Sequence, residues 1–261
     1  MDGISRALVT GASSGIGAAF ARQLAARDSN LVVVARDGER LEQLAHDLGG
    51  LHGIDCEVLV ADLTDHEACE RVAARIGDDA SAVDLVVNNA GFGTSGRFVR
   101  QVVEEEHREI ELNVVALHRL THAAVQTMVA RGQGGVINVS SLGGYQPTPG
   151  FATYAATKAF VSSFTQAVHE ELLGTGVKAM VLCPGFTRTE FQQRAGAGAE
   201  ASNLPGFMWQ EADEVVLAAL RDYDRGRAVS VPGPLNTAAA VFATMAPGIA
   251  GRKVAAAMLR R

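Results

Sequence analysis

The 261-residue chain is poor in several residue types: three lysines stand against twenty arginines, with only three tyrosines and one tryptophan. Three cysteines, Cys56, Cys69 and Cys183, are too few and too scattered for a disulfide framework or a zinc-ligand pair. They read as ordinary thiols of a reducing cytoplasm. No metal-ligand cluster is visible, so no metal is expected. Positive charge is not in excess: the formal net charge is −6, which argues against a nucleic-acid surface and its clustered basic face. No long apolar run survives inspection. The uncharged stretch 228–251 is long enough to cross a bilayer, but Pro232, Pro234, Asn236 and Pro247 break it. The chain begins almost directly with a strand, Ala7-Leu8-Val9-Thr10, without the basic segment and apolar stretch of a signal peptide.

What is present is a core-forming composition, 48% apolar and 20% charged, in a length that suits one α/β domain over residues 1–261. Short β-rich runs at 6–10, 31–35, 57–61, 84–88, 135–140, 178–183 and 228–231 alternate with longer helical patterns. Those patterns cover 15–27, 38–48, 65–77, 102–131, 152–174 and 211–224. Runs such as Leu31-Val32-Val33-Val34 are near-continuously apolar, as parallel strands covered on both faces require. The expectation is a doubly wound parallel sheet of about seven strands with helices on both faces. A Gly- and Ala-rich stretch, 194–203, lies within a longer excursion, 186–210, that reads either as a substrate lid or as a surface loop. The tail 235–261 reads as short apolar helices ending in basic residues.

Where the first strand turns into the first helix stands Gly11-Ala12-Ser13-Ser14-Gly15-Ile16-Gly17. Glycines there let a backbone approach a pyrophosphate, and the helix N-terminus offers free N–H groups. Tyr154 and Lys158 are four apart in a helical pattern, so both project from one face. With three of each residue type, that spacing arises by chance about 0.03 times per chain. In the same order come Asp62-Leu63, Asn88-Asn89-Ala90-Gly91, Asn113, Ser141, and Pro184-Gly185 with Thr187 and Thr189.

This ordered set resembles the short-chain dehydrogenase/reductase family, within the broad branch holding ketoacyl-type and hydroxysteroid-type reductases; it spans residues 10–189, with the tail matched only loosely. The resemblance implies an NAD(P)-dependent oxidoreductase moving a hydride between nicotinamide and a carbonyl/alcohol pair. It assigns catalysis to Asn113, Ser141, Tyr154 and Lys158. It assigns cofactor binding to Gly11, Ser13, Ser14, Gly15, Ile16, Gly17, Asp62, Leu63, Asn89, Ala90, Gly91, Tyr154, Pro184, Gly185, Thr187 and Thr189, with Lys158 on the nicotinamide ribose and Asn113 anchoring a relay water. Ser141 is chosen over Ser140 because thirteen residues separate it from Tyr154, the family's usual gap. The family also favours a homodimer or homotetramer built on the helices after the fourth and fifth strands.

The chemistry follows from the residue types. A phenol with pKa near ~10 is a poor base, and a nearby ammonium such as Lys158 favours its ionised form. In reduction, Tyr154 donates its proton to the carbonyl oxygen and Ser141 hydrogen-bonds the same oxygen. The second strand ends Ala35-Arg36-Asp37, with no acidic residue at the Ala35 position to take ribose hydroxyls. Arg36 therefore points to NADP(H), with NAD(H) as the second choice. Phe92, Leu142, Tyr145, Phe186, Phe191, Leu204, Phe207, Met208 and Trp209 are candidate pocket residues, at least half of them core. They point to an apolar small-molecule substrate: a fatty ketone, a 3-oxoacyl thioester or a steroid. Packing of the tail on the protein is favoured over contact with an anionic membrane. Competing readings are a Rossmann module that senses nucleotide without turnover, and a methyltransferase, which has no use for a Tyr–Lys pair.

Overall fold

Valine- and leucine-rich runs make the sheet, and capped helices cover it. In the computed structural model, which describes residues 3–196 and 205–245, the chain starts with β1 (Arg6–Thr10), α1 (Gly15–Ala25), β2 (Asn30–Ala35) and α2 (Gly38–His52). It continues through β3 (Cys56–Val60), α3 (His66–Ile76) and β4 (Leu85–Asn88). Next come α4 (Val103–Ile110), α5 (Leu117–Arg131), β5 (Gly134–Val139) and α6 (Ala152–Glu171). β6 (Val177–Leu182), α7 (Ala212–Asp224), β7 (Val229–Ser230) and α8 (Pro234–Met245) complete it.

All seven strands pair in parallel, in the order β3-β2-β1-β4-β5-β6-β7. The order reverses at β1, where an open α/β sheet forms its ligand crevice. Alternate side chains of β1 feed two cores. Ala7 and Val9 join Phe20, Leu24 and Leu220 on one face, and Leu8 joins Val72, Leu120 and Met128 on the other. The doubly wound architecture is as the alternation implied. Of the tail, α8 is seen to Met245; residues 246–261 lie outside the described residues, as do 197–204 of the lid.

Two features depart from the sequence pattern. The helix expected over 102–131 is interrupted by a π-helical segment, Glu111–Ala116, between α4 and α5. Such a bulge adds a residue to the turn and re-aims side chains, and here it leaves Asn113 fully buried. The second is a buried polar cluster: Asn88 Nδ2 donates to Thr121 Oγ1 (3.1 Å) and Asn138 Oδ1 (2.9 Å), and Asn138 Nδ2 donates to Thr165 Oγ1 (3.0 Å). It ties β4 and β5 to α5 and α6 just below the crevice. Asn138→Ala strips a partner from Asn88 and from Thr165, and each orphaned buried group costs about 1–3 kcal/mol. A denaturant melt should show a loss in that range, with the crevice residues untouched.

Candidate active site

The glycine turn after β1 is built for close approach. Gly11 and Gly15 hold φ of +66° and +56°, and a Cβ on Gly17 would lie 2.2 Å from the Gly11 carbonyl oxygen. Asn89 closes the turn from β4: its Nδ2 donates to the carbonyls of Thr10 (2.9 Å) and Gly11 (3.3 Å). Thr10 Oγ1 returns the contact, accepting the N–H groups of Asn89 and Ala90 at 3.0 Å each. α2 and α3 are capped by the carboxylates of Asp37 and Asp65, whereas Ser14 at the start of α1 makes no side-chain cap. The first-turn donors of α1 are thus left for a ligand, and the site fits a dinucleotide diphosphate.

Beside this turn, Arg36 is 67% exposed and loosely paired with Asp62 at 3.9 Å. Burial works to raise the Asp62 carboxyl, but two hydrogen bonds from Thr64 and the charges of Arg36 and Arg108 hold it below its ordinary value. Asp37 is engaged elsewhere: its carboxylate accepts from Arg40 N–H (3.1 Å) and pairs with Arg40 Nε (3.4 Å). Leu63 is buried in the core, leaving only its backbone for a cofactor. Thr189 stands over the turn, its methyl 3.0 Å from where a Gly15 Cβ would be. Thr187 Oγ1 donates to the Gly185 carbonyl (3.1 Å), and the Pro184 carbonyl accepts from Leu142 N–H (3.0 Å).

Across the crevice, α6 places Tyr154 and Lys158 one turn apart. Ser141 Oγ stands beside the Tyr154 ring, both facing Gly143, and it accepts from Gly143 N–H (3.0 Å). Ser140 is spent inside the fold, donating to the Lys158 carbonyl and sharing a bond with Ser162 Oγ, both at 2.7 Å. The structure therefore brings Ser141, not Ser140, to the phenol. Lys158 Nζ donates to the Val139 carbonyl (2.9 Å). Asn113 Nδ2 donates to the Phe92 carbonyl (2.8 Å) and Thr157 Oγ1 (3.1 Å), and its Oδ1 accepts from Phe92 N–H (3.2 Å).

Between these groups run Gly91 and Gly93, too close for side chains. A Cβ on Gly91 would sit 2.9 Å from Asn113 Oδ1 and 3.4 Å from Lys158 Nζ, and one on Gly93 would sit 2.8 Å from the Tyr154 ring. Burial pushes the Tyr154 hydroxyl up to about 12, with Ser141 opposing and Glu109 adding to the rise. Burial lowers Lys158 to about 8, against the pull of Glu109. Burial outweighs the opposing Ser141 contact, so the Tyr154 hydroxyl lies above its ordinary value and carries its proton at neutral pH.

The walls are partly as expected. Phe191 packs on Tyr154 at 5.4 Å between ring centroids, and Phe186 packs on Trp209 at 5.7 Å. Tyr145 is not a wall residue: it packs in the small core around Val161 and Val181, its hydroxyl 3.7 Å from Cys183 Sγ. Phe151, 6.3 Å from Tyr154, was not anticipated. The base of the excursion 186–210 is pinned by Gln210 N–H to the Phe186 carbonyl and Arg188 N–H to the Gln210 carbonyl, both 2.9 Å. Leu204 lies outside the described residues. Also unforeseen are an ion pair between Arg40 and Glu190 (3.1 Å) and a buried cluster of Thr94, Glu106 and Glu109. Arg40 and Glu190 stand 150 positions apart, which no local pattern reports.

A family model described as short chain dehydrogenase matches residues 5–200. The chain belongs to the short-chain dehydrogenase family. Like the rest of that family, it is an NAD(P)-dependent oxidoreductase. This short-chain dehydrogenase is 34% identical to a sulfoacetaldehyde reductase of Chromohalobacter salexigens over 197 residues, 75% of this chain and 77% of the relative. Its fold matches a short-chain dehydrogenase from Sphingobium yanoikuyae, solved in complex with NADPH, at TM-score 0.85 and 39% identity, covering 98% and 96% of the two chains. It also matches the bulky-bulky ketone specific alcohol dehydrogenase of Comamonas testosteroni at TM-score 0.79 and 33% identity, covering 94% and 96%. Among the described residues of the dehydrogenase, no helix is long and apolar enough to cross a membrane.

Proposed function

We propose that this dehydrogenase uses NADP(H) to interconvert an apolar ketone and its secondary alcohol, with Tyr154 as the proton carrier. The observation that carries the reading is the meeting of Ser141, Tyr154 and Lys158 at the mouth of an uncapped glycine turn. When bound, the nicotinamide supplies or accepts the hydride. Tyr154, protonated at neutral pH, gives its proton to the carbonyl oxygen. Ser141 donates to that oxygen as charge develops on it. Lys158 holds the nicotinamide ribose, and Asn113 fixes the Phe92 backbone beside it. Gly11, Ser13, Ser14, Gly15, Ile16 and Gly17 hold the diphosphate, and Arg36 takes the 2′-phosphate.

Support for an apolar substrate comes from the aromatic walls of Phe151, Phe186, Phe191 and Trp209. A bulky ketone fits them better than a small sulfonate, although the reductase relative above takes its name from one. Residues 186–210 act as the lid. A screen of NADPH consumption over aliphatic, acyl-thioester and steroidal ketones, with sulfoacetaldehyde as the contrast, tests the substrate class. Turnover of bulky ketones is expected; turnover confined to the small anion would overturn the apolar assignment.

α8 supports a role for the tail in the same pocket. Asn236 Nδ2 donates to Gln210 Oε1 (2.7 Å), and Gln146 donates to the Ala243 carbonyl, so α8 bridges the lid base to the turn after Ser141. Deleting residues 235–261 should raise KM for large apolar ketones several-fold and leave NADPH affinity near wild type; an unchanged KM would remove the tail from the pocket. The exposed apolar residues Val115, Val129 and Phe160, on the π segment, α5 and α6, support a homodimer or homotetramer, testable by light scattering.

A further inference from the structure

Helix α4 turns the opposite of the usual face inward. Its two buried residues are carboxylic acids, Glu106 (6% exposed) and Glu109 (0%), while the flanking Val102, Val103 and Ile110 are open to solvent. Burying an unpaired carboxylate is costly, and among the described residues neither acid has an ion-pair partner.

Their hydrogen bonds converge on one hydroxyl. Thr94 Oγ1 lies 2.6 Å from Glu106 Oε1 and 2.8 Å from Glu109 Oε2. Thr94 N–H donates to the same Glu109 oxygen (2.8 Å), and Thr153 Oγ1 donates to Glu106 Oε2. Among the described residues, Glu109 Oε1 is buried with no partner. A threonine hydroxyl has one proton, so it cannot donate to both acids at once. One of the two contacts therefore needs a proton from a carboxyl group.

Thr94 also ends the segment that lies on α6. A Cβ on Gly91 would lie 3.4 Å from Lys158 Nζ and one on Gly93 2.8 Å from the Tyr154 ring, so neither position has room for a side chain, and Asn113 grips Phe92 by both backbone groups. Glu109, a turn earlier than Asn113, grips Thr94. We propose that Glu109 is a positioning residue that clamps Gly91–Thr94 onto the Tyr154–Lys158 pair and, by gaining or losing its proton, sets the negative potential behind that pair. This rests on the reading of Tyr154 as the proton carrier.

The titratable groups facing Glu109 are Glu106 on α4 and Tyr154 and Lys158 on α6; Glu104, Glu105, His107 and Arg108 point outward. Burial raises Glu109 to about 6, with Thr94 opposing, Glu106 adding and Lys158 opposing. Above that pH the carboxylate favours the Lys158 ammonium and disfavours the Tyr154 phenolate. Below it the influence fades.

The test is a tyrosinate absorbance titration of wild type and Glu109→Gln, as free protein and as the NADP+ complex. Tyr154→Phe serves as the blank that subtracts Tyr145 and Tyr223. Gln fixes the neutral form without changing shape. The Tyr154 midpoint should fall by about 0.5–1 pH unit, a roughly three- to tenfold gain in phenolate at a given pH. The acidic limb of kcat for alcohol oxidation should move the same way. An unmoved midpoint would overturn the proposal, because a merely structural role lowers kcat at every pH alike. Should Glu109→Gln fail to fold, Glu109→Asp keeps the charge and shortens the clamp; it should show the wild-type midpoint with reduced kcat, and a shifted midpoint would overturn the proposal. The titration needs no substrate. Wild-type turnover by Tyr154→Phe would therefore sink the catalytic reading without deciding the role of Glu109.

Discussion

Tyr154→Phe is expected to lower kcat for ketone reduction by at least about 10²-fold, the lower range for a lost general acid. The ring stays packed against Gly93, Phe151 and Phe191, so the wall of the pocket survives and only the hydroxyl goes. NADPH affinity should stay within about twofold, because no assigned phosphate contact involves that oxygen; one pKa-sized increment, about 1.4 kcal/mol, would already appear as tenfold. Ser141 remains held by Gly143 and cannot take over, since its hydroxyl has no acid of comparable strength behind it. Fluorescence titration with NADPH beside steady-state kinetics separates the two effects. A parallel loss of binding and turnover would mean that the substitution had disturbed the fold of the crevice.

Arg36→Ala should weaken NADPH and spare NADH. The two cofactors differ by a 2′-phosphate carrying up to two negative charges, and guanidinium meets such a group with a planar fork of donors. A charge-assisted contact of this kind contributes about 1.5–3 kcal/mol, roughly 10- to 150-fold in Kd. Asp37, which would repel the phosphate, is turned to Arg40 and the start of α2. Among the described residues, the Arg36 side chain pairs only with Asp62, at 3.9 Å in an exposed setting, a pairing weak enough to exchange for a phosphate. Dissociation constants for both cofactors on wild type and variant decide the point; equal wild-type affinities would remove Arg36 as the discriminator.

Much of this was readable before any coordinates. The strands fall within a residue or two of their expected positions because buried parallel strands are written as unbroken apolar runs. Tyr154 and Lys158 stood out because both residue types are scarce here, and the thirteen-residue gap picked Ser141 over a neighbour that turned out to be tied to α6. What stayed hidden was of three kinds. The π segment leaves no mark in a 3.6-residue pattern, so the burial of Asn113 was not legible. Glu106 and Glu109 sit among Val102, Val103 and Ile110, where ordinary amphipathic logic places the acids outside. Tyr145 looked like a pocket aromatic, but its orientation depends on Cys183, which is 38 residues away.

The central claim is that this chain itself delivers hydride and proton to a ketone. It is tested most directly by following a deuterium label from C4 of reduced NADP to product, with a bulky apolar ketone as substrate. Wild type should yield alcohol with one deuterium at the carbinol carbon, and Tyr154→Phe should yield almost none under the same conditions. Cofactor consumption without label in the alcohol, or equal labelling by the two proteins, would contradict it.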